Sequence, residues 1–386
     1  MKWISFLVAP ASVIPIIFFL QIFGASERCF ADAMPSYAQI HPILWMHQTP
    51  VGEQPGWSTK NWFSYEVNEA NVWGVPMTLT DKRNGNIYNY ESRFEQTTLK
   101  IEAGHAFSDN FAAAIVVPYA NRWGGTMDHL INAYHETIWN QSLFERNLYP
   151  QYATVFSVKT NSREYFASQR PLQGVSNLDL KMKWWVWKGP KKKEDKVKTA
   201  EVCACGFAIS SFTKVPLGTA AYGGTTGYLD QSIGLHYGRP ILKRSAVWFT
   251  ADYTLLGKNP AIEEWPRNNH ILMYEINFDF NINDKWAFIT NARTQSPVLD
   301  ISQVSYFNTG VDAVSDAANQ DSSAWNALVR WVGSESIGLR YTPKSGQDLR
   351  FSFVEDWGIG PYSHTGSVYT NNAPDIALVV QGRVDL

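Results

Sequence analysis

The chain has 386 residues and a formal net charge of −2, room for one large domain or two ordinary ones. No basic surplus marks a nucleic-acid binder. Apolar residues make up 45 %, yet the mean hydropathy is −0.24. That disfavours a bundle of membrane helices, which needs several apolar runs of about 20 residues.

The chain opens with Lys2, an apolar stretch from Trp3 to Gly24, and the small-x-small triplet Ala31-Asp32-Ala33. This is the order of a secretory signal over 1–33, with Met34 as the first mature residue. An uncleaved anchor helix is the alternative, because the apolar stretch is long. The segment 34–58 is rich in Pro and poor in strand signals, and reads as a tail or as a plug inside whatever follows. Aromatic residues reach 14 %, with 16 Trp and 18 Tyr. Such rings suit a membrane–water interface, where one side is apolar and the N–H or O–H stays wet. They also suit a soluble Trp-rich β-protein.

From residue 59 the chain alternates with period two, and about twelve strands are expected in 59–386. They lie near 60–72, 90–107, 111–119, 175–187, 201–215, 228–237, 246–255, 272–282, 285–295, 336–342, 348–355 and 376–386. The alternation is clearest where Leu272, Tyr274, Ile276, Phe278, Phe280 and Ile282 oppose Glu275, Asn277, Asp279 and Asn281. Short turns such as Ser108-Asp109-Asn110 and Asn283-Asp284 alternate with long connections at 120–174 and 296–326. An even strand count, alternating short and long connections, and charges opposite the apolar face predict an all-β fold. It is a single antiparallel transmembrane β-barrel with lipid outside and a polar lumen. A β-sandwich is the soluble alternative. The expected address is the outer membrane of a Gram-negative bacterium.

The last strand, 376–386, keeps Ile376, Leu378, Val380, Val384 and Leu386 on one face. The expected partners are outer-membrane lipid and the barrel assembly machinery, which would read this strand. The strand should close the barrel against the first one near Phe63–Val67.

Within the first long connection, Met127, Leu130, Ile131, Tyr134 and Ile138 recur at helical spacing. This predicts a short amphipathic helix packed on the rim or in the lumen, with Asp128 at its start as cap or dipole partner. Asp128 and His135 are the candidate catalytic residues, with His135 as acid–base and Asp128 orienting it. His129 and Glu136 are at most speculative metal ligands. A second constellation should face the lumen: Lys100, Glu102, Asp179, Lys181, Lys183, Asp252, Glu275, Asp279, Arg293, Arg340 and Arg350. Mixed signs favour internal pairing in a filled lumen over an open pore. Glu355 and Asp356 fall at the extracellular rim. Cys203 and Cys205, two apart on an expected strand, read as small strand residues, since bridging them there would strain the strand. No metal or cofactor motif is evident.

Val117-Pro118-Tyr119, Gly124-Gly125-x-x-Asp128, His135, Gly174-x-x-Asn177-Leu178, Val215-Pro216-x-Gly218, Phe353-x-Glu355-Asp356 and Pro374-Asp375 together resemble an uncharacterised bacterial family, domain of unknown function 3187. The resemblance implies an outer-membrane barrel and no defined activity. Two functions follow for such a barrel. One is permeation of a small or lipid-like solute, with a purely structural barrel as its limiting case. The other is lipid hydrolysis near the Asp128–His135 helix, which needs a hydroxyl nucleophile beside a histidine. No serine in its own strand pairs with His105, so permeation leads.

Overall fold

The computed structural model describes residues 47, 53–57, 59–138, 154–160, 164–168, 172–188, 205–218, 225–242, 244–260, 263–265, 267–300, 304–308, 331–344, 346–358, 369–370 and 376–386. Alternating side chains make the strands. β1 (Asn61–Asp81), β2 (Ile87–Ser108) and β3 (Phe111–Trp123) run as two successive hairpins. The helix α1 (Asp128–Ile138) and the short strands β4 (Val155–Thr160), β5 (Glu164–Ser168) and β6 (Leu172–Val175) follow. Then come β7 (Asn177–Lys188), β8 (Gly206–Pro216), β9 (Asp230–Leu242), β10 (Ser245–Leu255), β11 (His270–Asn281) and β12 (Trp286–Gln295). The chain ends with β13 (Val304–Asn308), β14 (Val332–Lys344), β15 (Gln347–Gly358), β16 (Tyr369–Thr370) and β17 (Ile376–Asp385).

Twelve of these pair antiparallel in a ring: β1, β2, β3, β7, β8, β9, β10, β11, β12, β14, β15, β17 and back to β1. The seam runs from Trp62 opposite Asp385 to Asn71 opposite Ile376, and Leu386 N–H donates to the Asn61 carbonyl at 2.9 Å. Closure matters physically, because it leaves no row of unpaired backbone groups. Both ends of the barrel chain, Asn61 and Leu386, lie at one rim, the terminal rim. The opposite rim is the far one. Here β1 and β2 run on past the ring, where β1 pairs with β13 at Met77–Asp81 and β2 pairs with β4 at Tyr88–Arg93.

The two faces of the wall are inverted relative to a soluble protein. Outward positions are apolar and exposed: Leu180, Met182 and Trp184 on β7, Ile233 and Leu235 on β9, Phe249 and Tyr253 on β10, Ile337 and Leu339 on β14. Inward positions are polar or charged and buried. Aromatic rings border the apolar face at both rims. Trp286 packs on Tyr341 (4.6 Å) and Phe107 on Phe111 (5.9 Å) near the terminal rim. Tyr274 stacks on Trp331 (6.2 Å) near the far rim. From Trp331, just ahead of β14, to Tyr341 the step across the wall comes to about 25 Å, at a rise of about 3.3 Å per residue and a tilt of about 40°. That matches the apolar band of a membrane barrel.

Cys205 corrects the cysteine reading: it is disulfide-bonded, with its partner outside the described residues. Cys205 lies ahead of β8, which starts only at Gly206, so the strain of a bridge inside a strand does not apply to it.

Candidate functional site

The lumen is lined by inward side chains and holds part of the chain's own N-terminal segment. Lys181 and Lys183 lie two apart on β7, so both ammonium groups point inward. Between them sits the Glu53 carboxylate, paired with Lys181 Nζ and with Lys183 Nζ at 2.6 Å. Lys183 also donates to the Gln54 carbonyl at 2.9 Å, and Glu53 N–H donates to Thr250 Oγ1 on β10 at 3.2 Å. The Glu53 side chain is 3 % exposed. Burial by itself would raise its pKa, but the flanking ammonium groups of Lys181 and Lys183 hold it well below the usual carboxylate range.

The network extends along the wall. Lys181 reaches Glu102 Oε2 at 3.5 Å, and Glu102 Oε1 accepts from Trp62 Nε1 at 2.6 Å. Nearer the terminal rim, Trp57 packs on Trp185 (5.5 Å between ring centroids). A Cβ on Gly56 would lie 2.4 Å from the Trp185 ring, so only glycine lets the segment run this close. A narrow crevice opens here between Gln54, Trp57, Trp62, Ala112 and Arg383. At the far rim the same segment makes another contact. His47 Nδ1 lies 3.3 Å from Asp230 at the start of β9, and its Nε2 meets Asn259 Nδ2 at 3.3 Å. Asp230 is also paired with Lys214 at 2.8 Å, and Lys214 donates to Thr226 at 2.7 Å. The two groups of contacts, His47 and Glu53–Trp57, therefore fall toward opposite rims of the lumen.

Further ion pairs join neighbouring parts of the wall, and Arg293 and Glu275 meet neutral groups. Lys100 meets Glu66 (2.7 Å), which also accepts from Gln381 (2.8 Å). Arg340 meets Asp279 (2.5 Å) and donates to Asn281 (3.1 Å). Arg293 donates to Gln295 (3.2 Å), and Glu275 accepts from Asn277 (2.7 Å). Arg350 is buried opposite Arg340. Asp252 is buried on β10, and Asp179 occupies an inward position of β7 at intermediate exposure. The eleven residues assigned to the lumen thus lie on the wall face opposite the apolar one. Glu53, His47, Glu66, Lys214 and Asp230 complete their network. The last three were legible as inward positions of predicted strands, whereas His47 and Glu53 lie in a segment without periodicity.

The loop helix sits elsewhere. Ile131 of α1 is fully buried against Met127 and Ile376, and Tyr134 packs on Phe353. Ile376 and Phe353 share the parity of the exposed Leu378 and Phe351, so α1 covers the outward face of β15 and β17. Glu95 of β2 caps the helix, accepting from Thr126 N–H at 2.7 Å and from Met127 N–H. Asp128 is buried and accepts from Asn71 Nδ2 at 3.2 Å. Tyr134 O–H donates to Glu355 at 2.7 Å. Asp128 and Glu355 thus serve as docking points of the helix. The side chains of His135 and Asp356 are outside the described residues, as is residues 1–46 of the leader and tail. Among the described residues no cluster of His, Cys, Asp and Glu is suited to a metal ion.

A serine–histidine contact joins Ser210 Oγ and His236 Nε2 at 2.7 Å. Its geometry is structural. His236 Nδ1 is held by the Thr250 hydroxyl at 3.1 Å rather than by a carboxylate, and Ser210 and His236 are buried beside Glu53.

No family model and no curated protein matches the sequence, so the likeness to domain 3187 stays a resemblance. Solved structures with a similar fold include an outer membrane channel from Pseudomonas putida F1, at 7 % identity, covering 88 % of this chain and 97 % of that one, TM-score 0.43. A FadL homologue from Pseudomonas aeruginosa is 8 % identical over 94 % of this chain and 99 % of that one, TM-score 0.37. The toluene transporter TbuX from Ralstonia pickettii is 9 % identical over 96 % and 100 %, TM-score 0.37.

Proposed function

We propose that this protein is an outer-membrane permeation barrel whose lumen is closed by its own N-terminal segment, and that a small solute passes when the segment leaves. The exposed apolar wall, bordered by aromatic rings about 25 Å apart, supports the membrane location. The terminal strand Ile376–Asp385, paired into the seam, supports recognition by the assembly machinery. The observation that carries the closure is Glu53, clamped between Lys181 and Lys183. A buried charge is tolerable only with such partners, so the clamp fixes one place for the segment. Lumen charges of both signs, largely paired, give the pathway no dominant sign and hence weak ion selectivity.

Planar-bilayer conductance tests this reading. Wild-type protein should be nearly silent, and Glu53→Gln should conduct at least tenfold more often, with folded protein verified by heat-dependent gel migration. Equal open probability of the two proteins contradicts the closure.

A further inference from the structure

Asp252 is a buried lumen carboxylate on β10. It is 3 % exposed, and neither carboxylate oxygen accepts a hydrogen bond among the described residues. Two hydroxyls share its patch of wall. Thr254 lies two residues on along the same face of β10, and Ser232 of β9 lies directly opposite Thr254. Both are buried, and neither Oγ atom has a hydrogen-bond partner among the described residues. Cross-strand and diagonal neighbours of this kind stand about 5–8 Å apart at Cβ, within side-chain reach.

Gly234 of β9, opposite Asp252, makes the arrangement possible. A Cβ there would lie 2.9 Å from each Asp252 carboxylate oxygen, so the carboxylate leans across the bare glycine toward β9. The charged groups acting on it are Glu53, Arg293 and Glu275. Glu53 is held by its two lysines, Arg293 donates to Gln295, and Glu275 accepts from Asn277. The patch therefore gathers four oxygens and one negative charge. Burying a carboxylate without a donor is costly, and an all-oxygen set answers a hard cation. One carboxylate supplies a single negative charge, which a monovalent ion neutralises in full.

We propose that Asp252, Ser232 and Thr254 form a site for a compact monovalent cation of the sodium type, inside the wall beside the lumen clamp. The site rests on the barrel alone and does not depend on what the barrel transports.

The test is thermal unfolding of the full protein in detergent at one ionic strength, in sodium chloride and in choline chloride, whose cation is too large to enter. The wild type should unfold about 2 °C or more higher in sodium. Asp252→Asn should erase the difference, and Ser232→Ala with Thr254→Ala should reduce it. Asp279→Asn, a carboxylate paired with Arg340, should keep it. Should Asp252→Asn fail to fold, the double hydroxyl variant carries the test. Identical unfolding of the wild type in the two salts overturns the site, and so does a difference that survives in both site variants.

Discussion

Two pieces of chain dock on the barrel wall from opposite sides, and they are held by different physics. On the inside, Glu53–Trp57 is fixed by a buried carboxylate between two ammonium groups and by one ring contact. On the outside, α1 is fixed by Ile131 on Ile376, a capping carboxylate and a tyrosine hydroxyl. An apolar contact loses its worth gradually as atoms are removed. A buried ion triad loses it abruptly when one member goes, because the others stay buried without compensation. On the proposed reading the inner segment leaves on a change of charge, and the outer helix stays.

Changes of single residues should expose that contrast. The largest effect is expected for Glu53→Ala, which strands Lys181 and Lys183 and costs about 3–5 kcal/mol. Hydrogen exchange of 53–57 should rise to that of free chain while the strands stay protected, and equal protection in both proteins speaks against the clamp. Next comes Ile131→Ala, at about 2–4 kcal/mol of local stability. Exchange should rise within 128–138, and conductance should not change. A conductance increase there would show that the outer helix also controls the lumen. Glu95→Gln removes the charge of the cap and should cost about 1–2 kcal/mol, loosening the first turn of α1 but not the barrel. Exchange unchanged at Thr126 to Leu130 would rule out that cap.

Acid should act weakly. Glu53 titrates in the folded protein near 2, below its ordinary 4.5. Its contribution is therefore complete above about pH 5 and fades only as the pH falls toward 2. Open probability should be flat from pH 8 to 5 and rise below about 4. A rise already at pH 6 would assign closure to another group.

The ring was legible because lipid outside and charge inside impose strict alternation. All twelve of its strands were found, with β11 visible in Tyr274, Ile276 and Phe280 against Glu275 and Asp279. Outside the bilayer that constraint lapses. The extension of β1 past Val72, the start of β2 before Tyr90 and the short strands β4, β5, β6 and β13 lie beyond the reach of that alternation and are not legible as strands in the sequence. Helix α1 was legible from its 3.6-residue spacing, but its side of the wall depends on Ile376 and Phe353, more than 200 residues away. The lumen charges of the strands were legible as faces. Their pairing with Glu53 was not, because a Pro-rich segment without periodicity meets Lys181 and Lys183 only once the barrel has closed.

A redox-switched version of the inner contact tests closure most directly. Glu53 N lies 3.2 Å from Thr250 Oγ1, so Glu53→Cys with Thr250→Cys replaces the clamp by a removable covalent bond. Single-channel recording should find the oxidised double variant silent and the reduced one open, with Glu53→Cys alone open in both states and the wild type silent in both. A folded double variant with the same open probability before and after reduction would contradict closure by the N-terminal segment.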